Sequence, residues 1–180
     1  MIRIARRVVV PGTCLVLVLL MAQALGAQWR GGAKTGGVSY LYEVERKIFH
    51  FTNEARGRHG VPTLTWETSL RDVARMHSAD MLGRNYFSHT GPDGRTLHDR
   101  INSRYPFALS MSGENIWSGT GHDSGDTSHL ARLIVNNWLS SAGHRQNLLN
   151  PEFTDIGVGV AARGRDIRAT QVFVRTRKSR

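Results

Sequence analysis

The chain contains a single cysteine, Cys14, and it lies inside the first apolar run. Whatever folds beyond that run has no disulfide partner and no thiol chemistry. Small exported domains commonly rely on disulfides, so a domain here must be held by an apolar core alone. Roughly 150 residues follow the run, enough to bury one.

The run itself reads as an export address. Met1 to Arg7 carries Arg3, Arg6 and Arg7 and no acid, and an apolar stretch follows from Val8 to Ala27. Ala22-Gln23-Ala24 and Ala24-Leu25-Gly26 both fit small-x-small cleavage. A basic start, an apolar middle and small residues after it make residues 1–26 a signal peptide. The alternative is an N-terminal anchor, because the run approaches the ~20 apolar residues of a spanning helix. Arg6-Arg7 lacks the polar residue that usually precedes a twin-arginine pair. Pro11-Gly12-Thr13 before Cys14 does not make a lipid-attachment site.

The formal net charge is +10; three of those charges are Arg3, Arg6 and Arg7, leaving +7 beyond residue 26. The arginines are scattered, with one cluster from Arg175 to Arg180. A basic surface suits an anionic cell-envelope polymer. No nucleic-acid recognition module is visible, and an exported chain gives no reason to expect a nucleic-acid partner.

Residues 27–40 read as a Gly-rich linker, 41–176 as one domain and 177–180 as a basic tail. From Ser39 the pattern is helical: Leu41, Val44, Ile48, Phe51 and Ala55 fall on one face, with Glu43, Glu45, Arg46 and Lys47 on the other. A second helix is expected from near Thr65-Trp66-Glu67 to Gly83, with Leu70, Val73, Ala74, His77 and Met81 on one face. Gly91 to Gly94 reads as a turn, Thr96 to Arg104 as a short helix and Phe107 to Trp117 as the entry to a strand. A loop follows to Ser128, then a helix from Leu130 to Ser141. Ile156, Val158 and Val160 alternate with Gly157 and Gly159, which is strand periodicity, and Ile167 to Arg175 reads as the partner strand. Helices followed by a hairpin indicate an α+β domain with an antiparallel sheet.

Several short motifs occur in order: Asn53-Glu-Ala-Arg56, Leu64-x-Trp66, Ala74-x-x-His77-Ser78-x-Asp80-Met81 and Tyr86-Phe-Ser-His89. They continue with Gly113-Glu-Asn-Ile116, Trp138-Leu-Ser-Ser-Ala-Gly-His-Arg145, Asn147-Leu-Leu-Asn-Pro151, Phe153-Thr-Asp-Ile-Gly-Val-Gly159 and Thr170-Gln-Val-Phe173. In this register residues 41 to 175 closely resemble the bacterial branch of the CAP superfamily, or SCP domain, which includes cysteine-rich secretory proteins, antigen 5 and pathogenesis-related protein 1. The resemblance implies an α-β-α sandwich with a small antiparallel sheet between helical layers. It also implies a cleft of two His and two Glu. His89 matches the first His and Glu114 the first Glu. The second Glu position is Ser141 and the last His position is Arg168, so two of four are replaced. His144 is an additional histidine.

Through that resemblance, His89, Glu114 and His144 are candidates for a divalent metal such as zinc or for acid–base catalysis. The spacings, 25 residues and then 30, carry no motif by themselves. For Glu114 the alternative is a turn whose carboxylate accepts backbone N–H bonds; for His144 it is an imidazole bonding the last carbonyls of a helix. His77 reads as a buried histidine bonded to a neighbour. Asn53, Arg56, Trp66 and Asp80 read as ties within the helical layer, and Trp138 and Phe153 as core. His122, Asp123, Asp126 and His129 suggest a second metal cluster, but Asp126 fits better as a helix N-cap. No G-x-S-x-G or S-x-x-K nucleophile pattern is present. The resemblance implies an exported, non-enzymatic domain that binds a ligand, such as a lipid or small amphiphile, in the cleft of His89, Glu114, His144, Ser141 and Arg168. A metal-dependent hydrolase and a basic envelope-binding module are the rivals.

Overall fold

The structure is a computed structural model and describes residues 36–105, 107–120 and 125–176. The expected signal peptide, residues 27–35 of the expected linker, His122, Asp123 and the 177–180 tail lie outside the described residues. Helix α1 spans Gly36–Arg58. It begins inside the stretch read as linker. Its expected face is confirmed, with Val44, Ile48 and Ala55 fully buried.

The polar side of α1 holds one departure. Glu45, expected to face solvent, is completely buried. Both its oxygens take 2.6 Å bonds from Arg75, and Oε1 also accepts from the backbone N–H of Val160. Tertiary packing thus gives this carboxylate a bidentate guanidinium and a backbone donor, the condition for burying a charge.

Thr65–Trp66 is a short strand, β1, rather than the start of the second helix. Its backbone pairs in parallel with Asp155 and Ile156. Glu67 then caps α2, Thr68–Gly83, by accepting from Ser69 N. Asn85 adopts a positive φ of 53° just past its end. A capping box between Thr96 and Asp99 starts α3, Leu97–Asn102. Strand β2 runs Leu109–Thr120. Helix α4, Thr127–Ser140, has Asp126 as N-cap, accepting from Ser128 N and His129 N. A short helix that the sequence pattern does not announce, α5, follows at Ala142–Leu148. Strands β3, Asp155–Arg163, and β4, Asp166–Thr176, form the hairpin.

The sheet order is β1-β3-β4-β2, with β2, β4 and β3 antiparallel and β1 added in parallel. Its two faces bury separate clusters. On one, Ile156, Val158, Val160 and Phe173 meet α1 and α4, including Trp138 and Ile134. On the other, Val172 and Val174 meet Leu70, Val73 and Ala74 of α2 and Ile101 of α3. The layers are therefore helix, sheet, helix, as the resemblance implied.

Gly157 and Gly159 set the spacing on the second face. A Cβ on Gly157 would stand 2.1 Å from the backbone of Leu70 and Arg71, and one on Gly159 2.0 Å from Arg75 N. Only glycine lets the α2 backbone lie this close to β3.

Candidate functional site

Glu114 sits mid-strand in β2, opposite Val172 of β4, so its side chain emerges on the α2 face of the sheet. The turn considered for Gly113-Glu-Asn is replaced by strand. The carboxylate is only 3 % exposed, and each oxygen has its own donor. His89 Nδ1 donates to Oε1 at 2.8 Å, and Arg100 Nη2 donates to Oε2 at 2.7 Å. Buried charge demands such satisfaction.

The donors come from the segment between α2 and β2. The Gly91–Gly94 turn closes through Gly94 N to Gly91 O, and Gly91 N bonds Arg95 O. Arg100 Nη1 donates to the carbonyls of His89 and Arg95, tying that segment to α3. With Nδ1 of His89 committed as a donor, its Nε2 is the remaining ring atom, on a side chain 55 % exposed. A carboxylate has thus selected one imidazole tautomer.

His77 belongs to the same cluster. It is buried on α2, donates from Nε2 to the Ser88 carbonyl at 3.0 Å, and has that nitrogen 3.8 Å from Glu114 Oε1. The buried, neighbour-bonded histidine expected from helical phase is found. Its closeness to Glu114 was not foreseen. Burial lowers the His77 pKa from the ordinary histidine value; Glu114 opposes that shift and Arg100 adds to it.

His144 lies on α5, not after a helix end, and is half-buried. Burial lowers its pKa first and the charge of His89 lowers it further, so the two imidazoles are within electrostatic reach. A chain of buried amides positions α5. Gln171 donates to Thr52, Asn115 donates to Gln171 and to the His144 carbonyl, and Asn147 donates to Asn115 and to the Glu114 carbonyl. The motif residues of Gly113-Glu-Asn, Thr170-Gln and Asn147 therefore hold the sheet edge against α5.

Ser141 stands at the α5 N-cap without a side-chain cap bond. Arg168 pairs across β4 with Ser118 of β2, four residues beyond Glu114. That is on the order of 13 Å along the strand. Its guanidinium lies 6.0 Å from the Phe87 ring centre, and its Nη1 donates to the Ile167 carbonyl. Asn53 bonds both backbone groups of Leu64, and Arg56 donates to the carbonyls of Pro62, Leu148, Asn150 and Phe153. Asp80 pairs with Arg84 and accepts from the Tyr86 hydroxyl. Trp138 and Phe153 are core.

A cavity of about 350 Å³ borders the cluster and shares His77 and Arg100 with it. Val73, Met76 and Ala79 give it an apolar wall, and Tyr86, Arg84 and Asp93 a polar rim. Sequence reasoning found neither this cavity nor Arg100. Nothing in a six-residue helix with one buried residue, Ile101, marks its neighbour as a partner for a carboxylate twelve residues past the helix end.

Each Glu114 oxygen already accepts a hydrogen bond and His77 Nε2 carries its proton toward Ser88, whereas His89 donates from Nδ1 to Glu114 and keeps Nε2 open. Among the described residues no group of three or more His, Asp or Glu is arranged to hold a metal.

An α-β-α sandwich around a four-stranded sheet is the architecture shared with SCP-type domains. The chain belongs to the Cysteine-rich secretory protein family, which it matches over residues 49–174. It is 34 % identical over 130 residues to the Bacillus subtilis protein YkwD, covering 72 % of this chain and 47 % of that one. It is 37 % identical over 116 residues to the Bacillus subtilis membrane protein YlbC, covering 64 % and 31 %. An extracellular Bacillus anthracis protein containing an SCP domain, solved by crystallography, superposes with a TM-score of 0.61 at 41 % identity, covering 74 % of this chain and 40 % of that one. The chain thus spans less than half the length of these relatives. Among the described residues no helix is long and apolar enough to cross a membrane.

Proposed function

We propose that this is an exported, non-enzymatic binding domain that takes a small amphiphile at the His89–Glu114 cluster and the cavity beside it. The observation that carries the reading is the cavity whose apolar wall of Val73, Met76 and Ala79 adjoins His77 and Arg100 of the cluster. The Glu114 carboxylate fixes His89 so that Nε2 can accept a hydrogen bond from a ligand head group. The neighbouring cavity, about 350 Å³ with an apolar wall, lies within the ~300–1,000 Å³ range of small-molecule sites. Export is supported by the basic and apolar pattern of residues 1–26 and by the extracellular Bacillus anthracis relative.

Native mass spectrometry after incubation with a panel of fatty acids, lysolipids and neutral lipids tests the reading. One amphiphile should bind per chain, and Ala79→Trp, which fills the cavity from an exposed position, should weaken uptake at least tenfold. No uptake from the whole panel defeats the proposal. So does hydrolysis of an ester or peptide panel that disappears in His89→Ala.

A further inference from the structure

We infer that the end of the sheet at the β3–β4 turn is a docking surface for a linear anionic polymer, with Arg163 and Arg168 as its charged contacts. The surface is separate from the cavity, whose lining includes neither arginine, and the inference holds whatever that cavity takes. Residues 163–168 set Arg163, Arg165 and Arg168 against Asp166 alone, a net +2. Elsewhere arginines are matched with acids: Arg58 with Glu54, Arg75 with Glu45 and Arg95 with Asp93. Among the described residues neither Arg163 nor Arg168 has an ion-pair partner. Asp166, the one nearby acid in sequence, accepts from the Thr120 hydroxyl at 2.7 Å.

Strand pairing puts both arginines on one side of the sheet. Arg168 stands opposite Ala161, and Arg163 opposite Asp166. Paired residues share a face, as do alternate residues along a strand. Both arginines therefore lie on the α2 side, in line with Gly159 and Thr170. By strand spacing their backbones are about 8 Å apart. Ser118 and Thr120 of β2 pair with Arg168 and Asp166 and are exposed on the same side. The surface is thus three strands wide and polar.

Arg168 is also short of acceptors. Its Nη1 donates to the Ile167 carbonyl, while its buried Nε has no hydrogen-bond partner. An unmet donor on a charged group is costly, and a guanidinium fork matches a phosphate or carboxylate. Phe87, 50 % exposed, flanks the guanidinium with its ring centre 6.0 Å away. A single ring beside polar strand residues is far less than the apolar face that a membrane-lying element buries. Charge supplies the attraction here, and a flexible chain of repeated anionic groups can set successive charges on both arginines.

Fluorescence anisotropy of labelled short-chain polyphosphate, titrated with the full chain at low salt, tests this. Wild type should bind, and binding should fade as salt screens the charges. Arg163→Gln/Arg168→Gln should weaken it at least tenfold. Arg132→Gln/Arg145→Gln removes the same charge from exposed positions on α4 and α5 and should stay within twofold of wild type. Equal losses in the two double variants overturn the inference, because net charge alone would then explain the binding. So does a wild type that fails to bind. Tighter binding to phosphatidylglycerol vesicles than to polyphosphate, lost in Phe87→Ser, overturns it in favour of a membrane. Nitrogen-15 NMR of the wild type covers the case in which the arginine variant does not fold: the Arg168 Nε–H signal should shift on adding polyphosphate, and an unmoved signal refutes the docking surface.

Discussion

The two faces of the sheet solve the same packing problem in opposite ways. Toward α1 and α4, β3 offers Ile156, Val158 and Val160, and the helices stand off by the thickness of those side chains plus Trp138, Ile134 and Ile48. Toward α2 the same strand offers Gly157 and Gly159, and the helix backbone rests on the strand itself. The first face gains stability from apolar bulk. The second gives up bulk for proximity, and that proximity brings His77 on α2 to within 3.8 Å of Glu114 on β2. The site lies on the face with the thinner apolar layer, where Ser78 bonds Thr170 and the Gly159 carbonyl and Glu114 meets three basic side chains.

Three outcomes put that contrast at risk. The largest is backbone contact against bulk. Gly159→Val places side-chain atoms where the Arg75 backbone already stands and should cost more than about 4 kcal/mol or abolish folding. Trp138→Ala on the opposite face leaves a cavity and should cost about 3–5 kcal/mol. Urea denaturation of both chains compares them; a Gly159→Val chain within 1 kcal/mol of wild type contradicts the close approach of α2.

Next is the buried pair. Arg100→Met strands the Glu114 carboxylate and should cost about 3–5 kcal/mol in the same assay. Adding Glu114→Gln should return part of it, because the stranded charge is gone. A double variant that is simply the sum of two losses means the pair is not coupled.

The smallest is pH dependence. Burial holds the folded-state pKa of His77 below the ordinary value, with Glu114 and Asp80 pulling it back up and Arg100 pushing it down. The unfolded chain therefore takes the proton first. Stability contributed by neutral His77 is complete above about pH 6.5, declines as pH falls through the folded-state pKa, and levels off below it. His144, lowered by burial and by His89, adds in the same direction. Melting temperature followed from pH 7.5 to 4.5 should show a shallower acid limb in His77→Gln than in wild type. Identical limbs would mean that His77 does not titrate in this range in either state.

Much of the fold was legible along the chain because it is written in periods. The α1 face, the α2 face and the Ile-Gly-Val-Gly-Val alternation each show which side of an element is buried, and Asp126 reads as a cap from its neighbours alone. Other elements left weak local signals. Strand β1 is two residues whose only reason to be extended is the edge of β3. A single residue, Ser141, separates α5 from α4, and it makes no side-chain cap bond. Glu45 sits on the side of α1 that its sequence neighbours mark as polar, and its burial is made tolerable by Arg75, 30 residues away, and by the backbone N–H of Val160.

By itself, then, the sequence determined an α+β domain held without disulfides, the strands and helices that form its layers, and the likeness that singled out His89 and Glu114. Tertiary structure alone decided what those two residues touch. It placed Arg100 on Glu114, turned His77 toward the same carboxylate, brought His144 within reach of His89, and set Arg168 four residues along the strand. The physical reason is one of range. Periodicity and capping act over a few residues, whereas a buried carboxylate is satisfied by whichever donors the packed layers bring to it, from any distance along the chain.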